Sequence, residues 1–121
     1  MKIVTFNMAY ATSDMVKYRM RIPITDTTRD AEIAAAITFS DAFCDGVIRA
    51  AGGSVPVASP PQDLKEASAD FAAFFIFRTQ NPTVANFFMD SGETLIKRYT
   101  SGTVKSAGAM ISGKSGIRDE T

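Results

Sequence analysis

Apolar positions recur at helical spacing through most of the chain, and they divide it into about four helices. Ile33, Ile37, Cys44, Val47, Ile48 and Ala51 share one stripe of a long helix, interrupted by Ser40. Asp26 or Thr27 is placed to cap its start, and Gly52-Gly53 to stop it. Ala31 and the run Ala34-Ala35-Ala36 permit another helix to approach closely. Before it, Thr12 or Ser13 caps a short helix over Asp14 to Met20, which Ile22-Pro23 ends because the residue preceding proline resists the helical region. After a proline-rich connection at residues 53–61, Leu64, Ala67, Phe71, Phe74, Phe75 and Arg78 continue at spacings of three and four. Phe71, Phe74, Phe75 and Phe77 make this third helix the core-bearing one, since each aromatic ring buries a large apolar area. Asn81 followed by Pro82 opens a fourth, running through Val84, Phe87, Phe88, Leu95 and Tyr99, with Asp90-Ser91-Gly92 as a candidate kink or break.

The two ends read differently. Ile3, Val4 and Phe6 sit in a short extended stretch, a lone strand or arm whose partner is expected on another subunit. Residues 101–121 hold Ser, Thr and Gly with no aromatic, and so predict a flexible tail that buries too little apolar area to offset chain entropy. The expected fold is therefore all-α: a small helical bundle at residues 1–100, carrying an extended N-terminal arm, and a flexible C-terminal docking tail at residues 101–121.

Composition narrows the chemistry. The chain has 121 residues, 45% of them apolar, enough for one domain with its own core. It contains no histidine, no tryptophan and one cysteine, Cys44, so zinc sites, Cys-His dyads and Ser-His-Asp triads cannot be assembled. A single cysteine on an apolar stripe reads as a buried thiol, and its lack of a disulfide partner suits a reducing compartment. No export signal or membrane span is evident, because Ile3 to Ala11 is broken by Thr5 and Asn7. Synthesis in the cytoplasm is the expectation.

Thirteen basic and thirteen acidic residues cancel, which argues against a whole-surface nucleic-acid binder. The cancellation hides a segregation: residues 1–25 and 97–121 are net basic, while 26–96 are net acidic. Basic ends and an acidic middle fit contacts between copies, with a solvated scatter of charge as the alternative. The carboxylate pairs Asp26/Asp30, Asp41/Asp45 and Glu66/Asp70 stand at helical spacing, but the ligand order of a calcium loop is absent, so they read as solvated or partner-facing helix sides. Gly108 to Ser115 matches the phosphate-binding pattern GxxxxGK[ST]. That loop works only between a strand and a helix, with a carboxylate from another strand to place magnesium, and none of this context accompanies it. The expectation is no catalytic residue, no metal and no cofactor. Lys97, Arg98 and Tyr99, followed by Lys105, Lys114 and Arg118, form a candidate surface for an acidic protein partner, or alternatively for nucleic acid.

The order of signals carries a resemblance. Tyr10-Ala-Thr-Ser-Asp14 opening a short helix, Thr27-Thr-Arg-Asp30-Ala-Glu-Ile33 opening a long one, Val55-Pro56, and Pro61-Gln-Asp-Leu64-Lys-Glu-Ala-Ser-Ala-Asp-Phe-Ala72 together resemble head-tail connector (adaptor) proteins of tailed viruses, over about residues 10–100. The resemblance implies a virion structural protein forming an oligomeric ring, dodecameric in that family, beneath the portal. It would join the capsid vertex to a downstream neck or tail protein around DNA that passes without sequence-specific contact. It further implies that Lys97, Arg98, Tyr99, Lys105, Lys114 and Arg118 face the portal protein, and that Asp30, Glu32, Asp41, Asp45, Glu66 and Asp70 meet neighbouring identical subunits. A small helical nucleic-acid-binding regulator, with Arg19, Arg21, Lys97 and Arg98 on phosphates, is the alternative from another class.

Overall fold

The computed structural model describes residues 9–105. Within them the protein is an all-α bundle of four helices: α1 (Ser13–Met20), α2 (Asp30–Ala50), α3 (Gln62–Phe77) and α4 (Pro82–Tyr99), with no strand among the described residues. The expected N-terminal arm, the phosphate-loop match, Lys114 and Arg118 lie outside the described residues.

Local chemistry sets most helix ends where the sequence reading places them. Thr12 Oγ1 accepts the Met15 N–H at 3.3 Å and caps α1. Asn81 Oδ1 does the same for Val84 at 3.3 Å, with Pro82 in the first turn where its missing N–H costs nothing. Gly52 adopts φ +95°, a left-handed conformation that costs glycine little, and Gly53 N–H closes on the Ile48 carbonyl at 2.9 Å to end α2. The start of α2 differs from expectation. Asp26 does not cap the helix; its carboxylate folds back on Thr28, accepting the backbone N–H at 2.9 Å and the hydroxyl at 2.6 Å, a local turn that delays the helix to Asp30.

Helix α3 is the axis of the fold, packing against each of the other three helices. Its sequence allows this because small residues leave room around its large ones: Ala67, Ser68, Ala69, Ala72 and Ala73 are all buried beside Leu64, Phe71 and Ile76. One apolar cluster joins Tyr10, Cys44, Ile48, Leu64, Phe71, Ile96 and Tyr99; a second joins Val16, Met20, Ile33, Ala36, Ala72 and Ile76. Of the aromatic run on α3, only Phe71 is fully buried, while Phe74, Phe75 and Phe77 are half-buried.

Helix α4 shows two departures from the sequence reading. Asp90-Ser91-Gly92 neither kinks nor breaks it, and α4 is continuous to Tyr99. Gly92 is there for contact: a methyl group at that position would fall 2.7 Å from Phe71 Cε1. Phe87, expected on the apolar stripe, is instead exposed, because Ala85, Gly92, Ile96 and Tyr99 form the buried line of the helix. Beyond Tyr99 the helical path continues as a π-helical turn, Thr100–Lys105, past the point where the sequence reading begins the tail.

Candidate functional site

Three polar clusters organise the surface and decide which charged residues remain available to a partner. The first centres on Arg19 of α1. Its Nε donates to Asp70 Oδ1 at 2.7 Å, its Nη2 donates to Glu66 Oε1, and its Nη1 donates to the Met15 carbonyl at 3.2 Å. Ser91 of α4 donates to the other Asp70 oxygen at 2.7 Å, and Gln62 to the other Glu66 oxygen at 2.7 Å. Burial works against the Arg19 charge, but the hydrogen bonds to Asp70 and Glu66 outweigh it and raise its pKa above the ordinary arginine value. Burial likewise opposes ionisation of Glu66, yet the bonds from Arg19 and Gln62 hold it below the usual carboxylate range. The guanidinium thus joins α1 to α3, and Asp70 joins α3 to α4. Arg19 is committed inside the bundle instead of offering its charge to phosphate.

The second cluster lies at the opposite side of α3. Ser68 and Ser40 hydroxyls sit 2.8 Å apart, Ser68 donates to Asp41 Oδ1 at 2.8 Å, and the Tyr10 N–H reaches the same oxygen at 3.2 Å. The Tyr10 hydroxyl donates to Asp45 Oδ1 at 2.6 Å and accepts the Val57 N–H at 2.9 Å. One tyrosine therefore ties the start of the described chain to α2 and to the connection before α3. Burial, then the hydrogen bond to Asp45, raise the Tyr10 pKa, and burial also raises that of Asp41. Ser40, which interrupts the apolar stripe of α2, is satisfied here at no polar cost. The third cluster is Lys17, almost fully buried, whose ammonium donates to the Ile24 carbonyl at 3.0 Å and pairs with Asp30 at 2.9 Å.

These clusters give the acidic residues partners within the chain. Asp30 pairs with Lys17, Glu32 with Arg29 at 2.7 Å, Asp41 and Asp45 with Tyr10, and Glu66 and Asp70 with Arg19. Five of the six join separate parts of the chain, while Glu32 makes a local pair at the start of α2, and Asp30 and Glu32 are the most exposed among the ion-paired four. At the basic end, Lys97 and Arg98 are exposed on the last turn of α4, Arg98 at 3.7 Å from Asp63. Tyr99 is not an exposed anchor. It is 9% exposed and packs in the Tyr10–Phe71 cluster, since the Ile96–Tyr99 spacing points it inward. Lys105 closes the π-helical turn.

Cys44 is enclosed in the core, and burial beside Asp41 and Asp45 pushes its pKa up to about 12. Thiolate is the reactive form, so iodoacetamide at neutral pH is expected to leave Cys44 unmodified in native protein and to label it once urea unfolds the chain. Mass spectrometry before and after unfolding checks this; rapid native labelling would show that the α2–α3 packing opens readily.

A feature the sequence reading misses is a cleft between α1 and α4, in two contiguous lobes of about 460 and 420 Å³. Both lobes share Tyr18, Arg19 and Phe88; the first adds Asp14, Met15, Glu66 and Asp70, the second Arg21, Ile22 and Phe87. Tyr18 and Phe87 are 80% and 66% exposed. The available signal was the adjacent pair Phe87-Phe88: successive side chains on a helix point about 100° apart, so a narrow apolar stripe half-buries Phe88 and leaves Phe87 exposed. Among the described residues there is no group of His, Cys, Asp and Glu arranged to hold a metal, and no helix long and apolar enough to cross a membrane. A scan against protein-family models, a search of the curated proteins and a search of the solved structures found no match.

Proposed function

We propose that the protein is a virion structural component, a head-tail connector that assembles as a ring beneath a portal and joins it to a neck or tail protein. The observation carrying this reading is that the segments bearing the resemblance meet one another. Tyr10 reaches Val57 just after Val55-Pro56, Thr12 caps α1, and the Glu66/Asp70 face of α3 receives Arg19 of that helix. A pattern of caps, prolines and carboxylates spread over much of the chain thus falls at contacts within one bundle. What remains outward at its end is Lys97-Arg98, leading by a π-helical turn toward the basic residues Lys114 and Arg118 of the sequence. Basic side chains on such a terminus suit an acidic portal surface, with steering that weakens as salt rises.

Co-sedimentation with purified portal rings tests the proposal. The wild-type chain is expected to pellet with the rings, and Lys97→Glu/Arg98→Glu to lose most of that binding while keeping its melting temperature, because both side chains are exposed. Wild-type protein that ignores portal but binds short DNA with steep salt dependence would replace the connector reading with the regulator one.

A further inference from the structure

We propose that α1 is a strap that opens as a unit while α2, α3 and α4 stay folded. The helices are held in different ways. Helices α3 and α4 close through Phe71 on Gly92, and α2 and α3 through paired phenyl rings, Phe39 with Phe75 and Phe43 with Phe71. Helix α1 meets α3 over a smaller surface than either neighbour does. Its only buried apolar side chains are Val16 and Met20, and Tyr18 is 80% exposed.

What fastens α1 is charge. Arg19 reaches Asp70 and Glu66 of α3, and the buried Lys17 reaches Asp30 at the start of α2. Deleting one member of such a pair strands the other, but lifting the helix returns both partners to water together. The pairs therefore resist opening far less than their short distances suggest. Asp70 also keeps the Ser91 hydroxyl of α4 when Arg19 leaves. The apolar joints of α2, α3 and α4 have no such compensation, since water offers their rings no equivalent partner.

The chain on either side suits the motion. Tyr10 stays fixed on Asp41, Asp45 and Val57, and α2 begins at Asp30, so α1 lifts as a loop between two anchored points. At its C-terminal end Arg21 holds φ +61°, a left-handed conformation unfavourable for a residue with a side chain, and opening relieves it. Eight residues are too few for a stable isolated helix, so α1 unravels once it leaves α3. The surface beneath is apolar. Opening uncovers Ile33 and Ala36 of α2 with Ala72 and Ile76 of α3, and takes from the cleft the wall that carries Tyr18. A partner that prefers this uncovered strip shifts the protein toward the open form. The strap goes beyond the connector reading and does not depend on it, since it is measured on the chain without portal.

Native-state hydrogen exchange of the full chain, resolved by NMR over a series of low urea concentrations, is the test. The amides of Val16 to Ile22 are expected to exchange together, at least about 30-fold faster than the slowest amides of α3 and α4, and with little dependence on urea because the opening exposes little surface. Phe71 belongs to the other apolar cluster. Phe71→Leu is therefore expected to speed the slowest α3 and α4 amides about 10-fold and to leave those of α1 unchanged. The proposal is overturned if the α1 amides lead those of α3 by a smaller margin, if only the ends of α1 exchange fast while its middle matches α3, or if Phe71→Leu speeds α1 and α3 alike.

Discussion

Replacing Arg19 with alanine is expected to destabilise the bundle by about 3–5 kcal/mol, the cost of breaking a buried ion pair from one side. The reasoning rests on what remains. The Asp70 side chain is 5% exposed, and without the guanidinium its charge is left with the Ser91 hydroxyl, which donates to it at 2.7 Å. Glu66 is 35% exposed and can recover solvation, so most of the loss falls on Asp70. Urea unfolding followed by circular dichroism measures the change. A double variant, Arg19→Met/Asp70→Leu, is expected to regain most of the stability, because two apolar side chains of similar volume remove the stranded charge along with its partner. A loss below about 1 kcal/mol in the single variant would show that the pair is solvated in practice and does not hold the α1–α3–α4 junction.

The contrast between Arg19 and the helix ends explains how far the sequence could be read. Thr12, Asn81-Pro82 and Gly52-Gly53 act on backbone groups within a few residues, so their roles are local and visible in order along the chain. Arg19 and Asp70 are 51 residues apart and Asp70 and Ser91 are 21 apart, and no periodicity encodes which carboxylate a long basic side chain will meet. Glu66/Asp70 and Asp41/Asp45 accordingly look like solvated faces when each helix is taken alone. Once α3 is central, those faces turn toward Arg19 on one side and Tyr10 on the other. The cleft was hidden for a related reason: Tyr18 and Phe87 become neighbours only when α1 and α4 cross the same helix. Helix number and type were legible because they depend on spacing, while the candidate surfaces depend on which helices touch.

The deepest contact in the core yields the second large effect. Phe71→Ala is expected to cost about 3–5 kcal/mol, since the ring is fully buried, meets Phe43 edge-on at 4.7 Å between centroids, and closes on the backbone of α4 at Gly92. The glycine makes this more than a cavity prediction, because the sign of a neighbouring substitution depends on it. In a helix interior, Gly→Ala ordinarily stabilises by about 0.5–1 kcal/mol through reduced freedom of the unfolded chain. Gly46, on the exposed side of α2 with nothing within 4 Å of an added methyl, should behave that way. Gly92→Ala should do the reverse and destabilise by about 1–3 kcal/mol, because the methyl would meet Phe71 at 2.7, 2.9 and 3.0 Å. Shortening the ring relieves that clash, so Gly92→Ala combined with Phe71→Leu is expected to be more stable than the sum of the single losses, a coupling that a double-mutant cycle by chemical denaturation measures directly. Additive losses, or a Gly92→Ala variant as stable as Gly46→Ala, would mean that α3 and α4 do not approach through this ring, and the continuous path of α4 would need another cause.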